Sequence, residues 1–329
     1  MLFITNRFPK EGPSSTEGIN NSNGRDFNFD LDENAASNSV FFCRRQKKGS
    51  YREIGSEAFL GEMKASKYRQ LLIYIHGFSN LPESVFRDAA EFQRLCNKER
   101  PNEVLVIPLV WPCDNDKGVV KDYWDDQKSA DMSAFSFARV LQKFIDWRNN
   151  DALEEDAQPC LKRINMLAHS MGNRVLRQTL AAWARYDLAD GVPLLFRNTF
   201  LIAADVVNET LETGNDGEHI CYASRNVTVY YASDDLALRA SKVSNLKNKI
   251  ASRRLGHTGP EDMNKVPRNV YAVDCDDVNT TYDKLKGHSY FRSGTRKGQP
   301  GKVFSHLFES LLSGRVKTSQ IKEFKHSRI

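Results

Sequence analysis

The stretch INMLAHSMGNRV, Ile164 to Val175, carries an apolar run of strand length straight into Ser170, with His169 before it and Gly172 two residues after. A serine at a strand-to-helix junction can simply cap the helix that follows. It can also sit on a sharp strand-turn-helix bend that lifts its oxygen clear of the sheet and turns the next N–H toward a developing oxyanion. Such a bend needs small residues two before and two after the serine, because larger side chains collide across it. Ala168 and Gly172 meet that requirement, although an alanine stands where the first glycine of the usual pattern would be. The rest of the chain has to decide.

Outward from Ser170, apolar runs of strand length alternate with segments of helical periodicity, which argues for a mainly parallel sheet covered on both faces. Eight strands are expected: Leu2–Thr5, Val40–Arg44, Leu71–His76, Val104–Trp111, Ile164–His169, Thr199–Asp205, Val227–Ser233 and Val270–Asp274. Helices are expected over Pro82–Asn97, Ser133–Arg148, Gly172–Tyr186 and around Val303–Leu312, each with an apolar stripe for the core. One α/β domain over 1–329 accounts for this, with an irregular excursion over about 8–38 and a basic tail over about 314–329. The polar stretch from Pro112 to Asp131, carrying Tyr123 and Trp124, reads as a long loop bordering the pocket.

Composition excludes several function classes. With 40% hydrophobic and 27% charged residues the chain has the make-up of a folded globular protein. The net charge of +5 is modest and its cations are interspersed with acids, so no nucleic-acid partner is expected. No run approaches the roughly 20 apolar residues that span a bilayer, and the first residues read as a strand, not as an export signal. The six cysteines, at 43, 96, 113, 160, 221 and 275, are scattered without CxxC pairs, which fits reduced thiols and a cytoplasmic setting. No H-E-x-x-H or clustered ligand pattern is present, so neither a metal nor another cofactor is expected. Nothing in the sequence indicates an oligomeric state.

A serine hydroxyl becomes a nucleophile only when a base takes its proton, and the base needs an acid to fix its tautomer. Asp234 and Asp235 end the Val227–Ser233 strand, and Asp235 is the chosen acid; Asp205, at the end of the preceding strand, is a second candidate. His288, in KLKGHSYF after the last expected strand, is the chosen base, with His257 as the alternative. His76 and Gly77 follow the third strand directly, so the N–H groups of Phe78 and Met171 can form an oxyanion hole, with His76, Gly77, Tyr123 and Trp124 as candidates to line the pocket. The order serine, acid, histidine at the ends of successive strands is that of the α/β-hydrolase fold.

LLIYIHGF, VWP followed by DYWDDQKSADMS, INMLAHSMGNRVL, IAADV and VTVYYASDDLALRAS resemble, in order and spacing, the DUF900 group of α/β-hydrolases, from about Leu71 to Ser241. The resemblance implies hydrolase chemistry with Ser170, Asp235 and His288 as the triad, and supplies no substrate. The expected function is a serine hydrolase that opens an ester or related acyl bond of a small molecule through an acyl-enzyme. The alternative is a non-catalytic binding module that keeps the fold and the pocket.

Overall fold

The computed structural model describes residues 1–12, 24–114, 119–153, 160–186, 188, 191–239, 253–318 and 326–328. Its strands are β1 (Leu2–Arg7), β2 (Arg25–Phe27), β3 (Ala36–Lys47), β4 (Ser50–Glu53), β5 (Gln70–Ile75), β6 (Val104–Val110), β7 (Arg163–His169), β8 (Phe196–Ile202), β9 (Ser224–Tyr231), β10 (Val270–Asp274) and β11 (His326–Arg328). Its longer helices are α1 (Gly55–Ala65), α2 (Pro82–Glu99), α3 (Val119–Leu153), α4 (Gly172–Tyr186) and α5 (Lys302–Ser313).

All eleven described strands form one sheet in the order β11-β10-β9-β8-β7-β5-β6-β1-β3-β4-β2. The run from β11 to β1 is parallel, and β3, β4 and β2 add an antiparallel flank. The expected α/β class and mainly parallel sheet are therefore found, but the count of eight strands was too low. The extra strands β2, β4 and β11 have three or four residues each and mixed polar side chains, which leave no apolar run to read. The expected irregular excursion accordingly contains β2, with residues 13–23 outside the described chain.

Each sheet face has its own core. On one face α2 and α5 bury Val85, Ala89, Phe92, Val303, Phe304 and Leu307, with Phe92 edge-on to Phe304 at 5.1 Å between centroids. On the other, α1, α3 and α4 bury Phe59, Phe137, Leu141, Leu176, Leu180 and Trp183. Apart from α1, which the sequence reading did not expect, these are the stripes that helical spacing predicts.

Near the amino ends of the strands, amides replace apolar side chains. Asn226 donates to Asn198, Asn198 to Asn165 and Asn165 to Gln70, a buried ladder across β9, β8, β7 and β5. The same amides bond the Ser310, Leu311 and Gly314 carbonyls at the end of α5, satisfying groups that a helix terminus leaves unpaired.

The expected loop from Pro112 to Asp131 is corrected from Val119 onward. Those residues are the beginning of α3, continuous with the helix expected from Ser133; residues 115–118 lie outside the described chain. Strand order reverses between β5 and β7, since β6 lies to one side and β8 to the other. Crevices outside the carboxyl ends of strands at such a switch are where open α/β sheets bind ligands.

Candidate active site

Ser170 directly follows β7 at that switch, with φ +54°, a backbone conformation a side-chain-bearing residue seldom adopts. Its N–H donates to the Ile202 carbonyl at 3.0 Å, and its carbonyl accepts from Asn173 and Asp205 N–H groups. The Asn173 side chain adds bonds to the Ala168 and Ser170 carbonyls at 3.1 and 2.9 Å. The strained turn is thus held from inside the sheet and from α4. A Cβ on Gly172 would come within 2.6 Å of the Ile75 and His76 carbonyl oxygens, so only glycine fits there.

Asp235 and His288 meet. His288 Nδ1 donates to Asp235 Oδ2 at 2.7 Å, and Asp235 is wholly buried. The other Asp235 oxygen accepts the Leu238 N–H at 3.0 Å. With Nδ1 carrying the proton, Nε2 is a lone-pair acceptor, uncommitted to any protein group among the described residues. Asp234 faces the other way and accepts from the Asn279 amide. Asp205 accepts Tyr123 Oη–H at 2.9 Å and lies 3.2 Å from Arg254 Nε. Of the candidate acids, Asp235 is the one that the structure brings to His288. His257 lies on the short helical turn Leu255–Thr258.

The His288 backbone is clamped as well. Asp283 accepts the N–H groups of His288 and Ser289 at 3.0 and 2.9 Å. Burial pushes the Asp283 carboxyl up, but those N–H bonds, with Lys286 and the nearby imidazole, outweigh it and hold the group below its ordinary range. His169 Nε2 lies 3.1 Å from the His288 carbonyl, and the two rings are 4.8 Å apart. Burial, then the His288 charge, holds the His169 imidazole well below its usual range and therefore neutral, a donor to that carbonyl.

Gly77 is packed against the serine: a Cβ there would lie 2.8 Å from Ser170 Cβ and 3.4 Å from Oγ. Among the described residues, neither the Phe78 nor the Met171 N–H donates to a protein acceptor. His76 sits behind this turn, not in the crevice. Its ring is wholly buried and stacks on Trp111; Nδ1 donates to the Gly77 carbonyl at 2.8 Å while Nε2 accepts the Trp111 N–H at 3.2 Å. Burial carries its pKa down to about 3, which keeps the ring neutral, and these two partners set its tautomer. Tyr123 is buried, edge-on to Phe78 at 5.7 Å, and Trp124 is partly buried beside it at 5.9 Å.

A strained strand-end hydroxyl, an imidazole bonded to a buried carboxylate and unspent N–H groups thus lie at the carboxyl ends of the strands. A family model described as alpha/beta hydrolase of unknown function, DUF900, matches residues 53–296. The chain belongs to that family. Two solved structures of phospholipase PlaB from Legionella pneumophila, one in complex with thio-NAD, are similar at 11% identity. The match to the complex covers 66% of this chain and 40% of that one with a TM-score of 0.26; the other covers 63% and 39% with a TM-score of 0.25. This DUF900 chain thus spans about two fifths of the length of PlaB, and overlays of that quality have no bearing on its activity. No curated protein matches it.

Residues that the sequence did not single out are Asn173, Asp283, His169 as a donor, and Asp126, whose carboxylate accepts the Ser79 N–H at 2.8 Å. Asn173 had a signal, an amide in the first turn of the helix after the elbow. Among the described residues no three His, Cys, Asp or Glu side chains are grouped to hold a metal, no helix is long and apolar enough to cross a membrane, and all six cysteines are buried and none is in a disulfide bond.

Proposed function

We propose that the protein is a serine hydrolase that opens a carboxylic ester or related acyl bond of a small molecule by way of an acyl-enzyme. The observation that carries this is the 2.7 Å bond from His288 Nδ1 to the buried Asp235, in a chain whose Ser170 occupies a strained elbow on the same sheet edge. In this reading Asp235 fixes the His288 tautomer and stabilises the imidazolium; Nε2 takes the Ser170 proton as Oγ attacks the acyl carbon. The Phe78 and Met171 N–H groups receive the oxyanion, each such donor contributing about 3 kcal/mol to lowering the barrier. His288 then protonates the leaving group, and water, activated by the same imidazole, releases the acid. In the same reading the partly exposed Phe78 and Trp124 meet the acyl portion, a role supported by their contacts with the buried Tyr123.

A binding module would have no use for a buried carboxylate paired with an imidazole whose second nitrogen is left uncommitted. The test is a fluorophosphonate probe, which phosphonylates an activated serine. One equivalent should be incorporated by the natural sequence and none by Ser170→Ala with an unchanged circular dichroism spectrum. Full labelling of the alanine variant would remove Ser170 from the mechanism.

A further inference from the structure

The turn Gly77–Asn80 that carries the Phe78 N–H has little structure of its own. Ser79 has φ +58°, and the Asn80 side chain closes the turn onto the Gly77 and Phe78 carbonyls at 3.1 and 2.9 Å. Beside the His76 bond to the Gly77 carbonyl, a further anchor comes from α3. Asp126, wholly buried, accepts the Ser79 N–H on Oδ2, and on Oδ1 the Asp114 N–H at 3.0 Å and the Asn34 amide at 3.1 Å. One carboxylate therefore ties together the turn after β5, the segment after β6 and the approach to β3. We propose that Asp126 is a positioning residue for the hydrolysis, holding the Gly77–Asn80 turn in the shape that aims the Phe78 N–H at the reacting carbonyl.

The energetics separate this role from one of stability alone. Burial is the largest influence on Asp126 and, with the nearby Asp114 charge, outweighs the three donors, so that its pKa rises to about 6. A carboxylate ionised at neutral pH in such a place costs stability. Arg7, buried beneath, keeps a countercharge close while donating to the Cys113 carbonyl at 2.7 Å. A carboxylate that accepts three hydrogen bonds stands where a neutral amide would fill the space, and what it secures is a strained turn beside Ser170.

The inference rests on the hydrolase reading, and its test has an arm that does not. Fluorophosphonate labelling rates and hydrogen exchange of the 77–80 amides are measured on the natural sequence and on Asp126→Asn, whose amide must turn an N–H toward one of the donors. The variant should label to full stoichiometry, about tenfold or more slower, with Ser79 exchanging at least about tenfold faster and the strands β5 and β7 unchanged. A labelling rate within about twofold of the natural sequence, or a slower rate with unaltered Ser79 exchange, overturns the proposal. Should Asp126→Asn not fold, a pH series on the natural sequence decides: Ser79 protection must fall relative to β5 between pH 7 and 5, as the carboxylate facing Arg7, Cys113 and Asp114 takes up its proton. Constant protection overturns it. Failure of the natural sequence to label at all fails the hydrolase reading itself, whatever the exchange data show of the clamp.

Discussion

Tyr123 Oη donates to Asp205 Oδ2 at 2.9 Å, and Arg254 approaches the other oxygen of the same carboxylate, so Asp205 is already spoken for while Asp235 faces His288. Two strand-end carboxylates stand within reach of the same crevice. What separates their roles is the side chain that each one meets.

Exchanging each carboxylate for an amide separates them experimentally. Asp235→Asn removes the acceptor that fixes the His288 tautomer and should lower kcat by about 10,000-fold with little change in Tm. Asp205→Asn removes the charge opposite the buried Arg254 and should cost about 3 to 5 kcal/mol of stability, with kcat of the folded protein within about tenfold of normal. Steady-state kinetics beside thermal unfolding read both, and the opposite ranking moves the acid to Asp205.

Asp283 touches no substrate in this scheme, yet it holds the His288 backbone. Asp283→Ala removes two charge-assisted bonds, at 3.0 and 2.9 Å, from the loop. Losing them should lower kcat by about ten- to a hundredfold, between the natural sequence and Asp235→Asn, with KM nearly unchanged. A KM effect alone would place Asp283 in substrate binding.

Acid should destabilise the fold through His76 and His169. Their folded-state pKa values lie below the ordinary 6.5, His76 at about 3, because burial disfavours the cation. The stability that each contributes is complete above pH 6.5 and is lost as pH falls toward the folded value, since the unfolded chain takes the proton first. By pH 5 that is about 2 kcal/mol for His76. Asp126 acts in the opposite sense: its raised pKa favours the folded state as pH falls through about 6. Urea unfolding at pH 8 and pH 5 should show a net loss, smaller in His76→Gln; equal loss in that variant would clear His76.

Much of this site was legible because the chemistry sits where strands end. Ser170, Asp235 and His288, the candidate nucleophile, acid and base, all follow recognisable apolar runs, and His-Gly after β5 is readable in the same way. The clamps were not. The beginning of α3 reads as a loop because the face it buries is largely polar: Asp122, Asp126, Gln127, Ser129 and Ser133 are all buried, so the usual apolar stripe is absent. Helical spacing was present in that segment, carried by residues that such a search does not count. Asp126 and Ser79 are 47 residues apart, a pairing that only the assembled fold reveals.

The same hidden helix changes what is expected of Tyr123. A loop aromatic at the pocket mouth would select among acyl chains, but this ring is 3% exposed, packs edge-on to Phe78 and spends its hydroxyl on Asp205. Tyr123→Phe keeps the ring and should lose about 1 to 3 kcal/mol of stability, because a buried carboxylate loses a donor, while acylation stays within a few-fold of normal. Tyr123→Ala also withdraws the support beneath Phe78 and should slow acylation by about tenfold or more, equally for short and long acyl chains. Trp124→Ala, which opens the partly exposed ring beside it, should instead shift chain-length preference. Rates over a series of p-nitrophenyl esters distinguish the two: a change in preference with Tyr123→Ala as large as that with Trp124→Ala would mean that Tyr123 lines the acyl channel and does not merely support the turn.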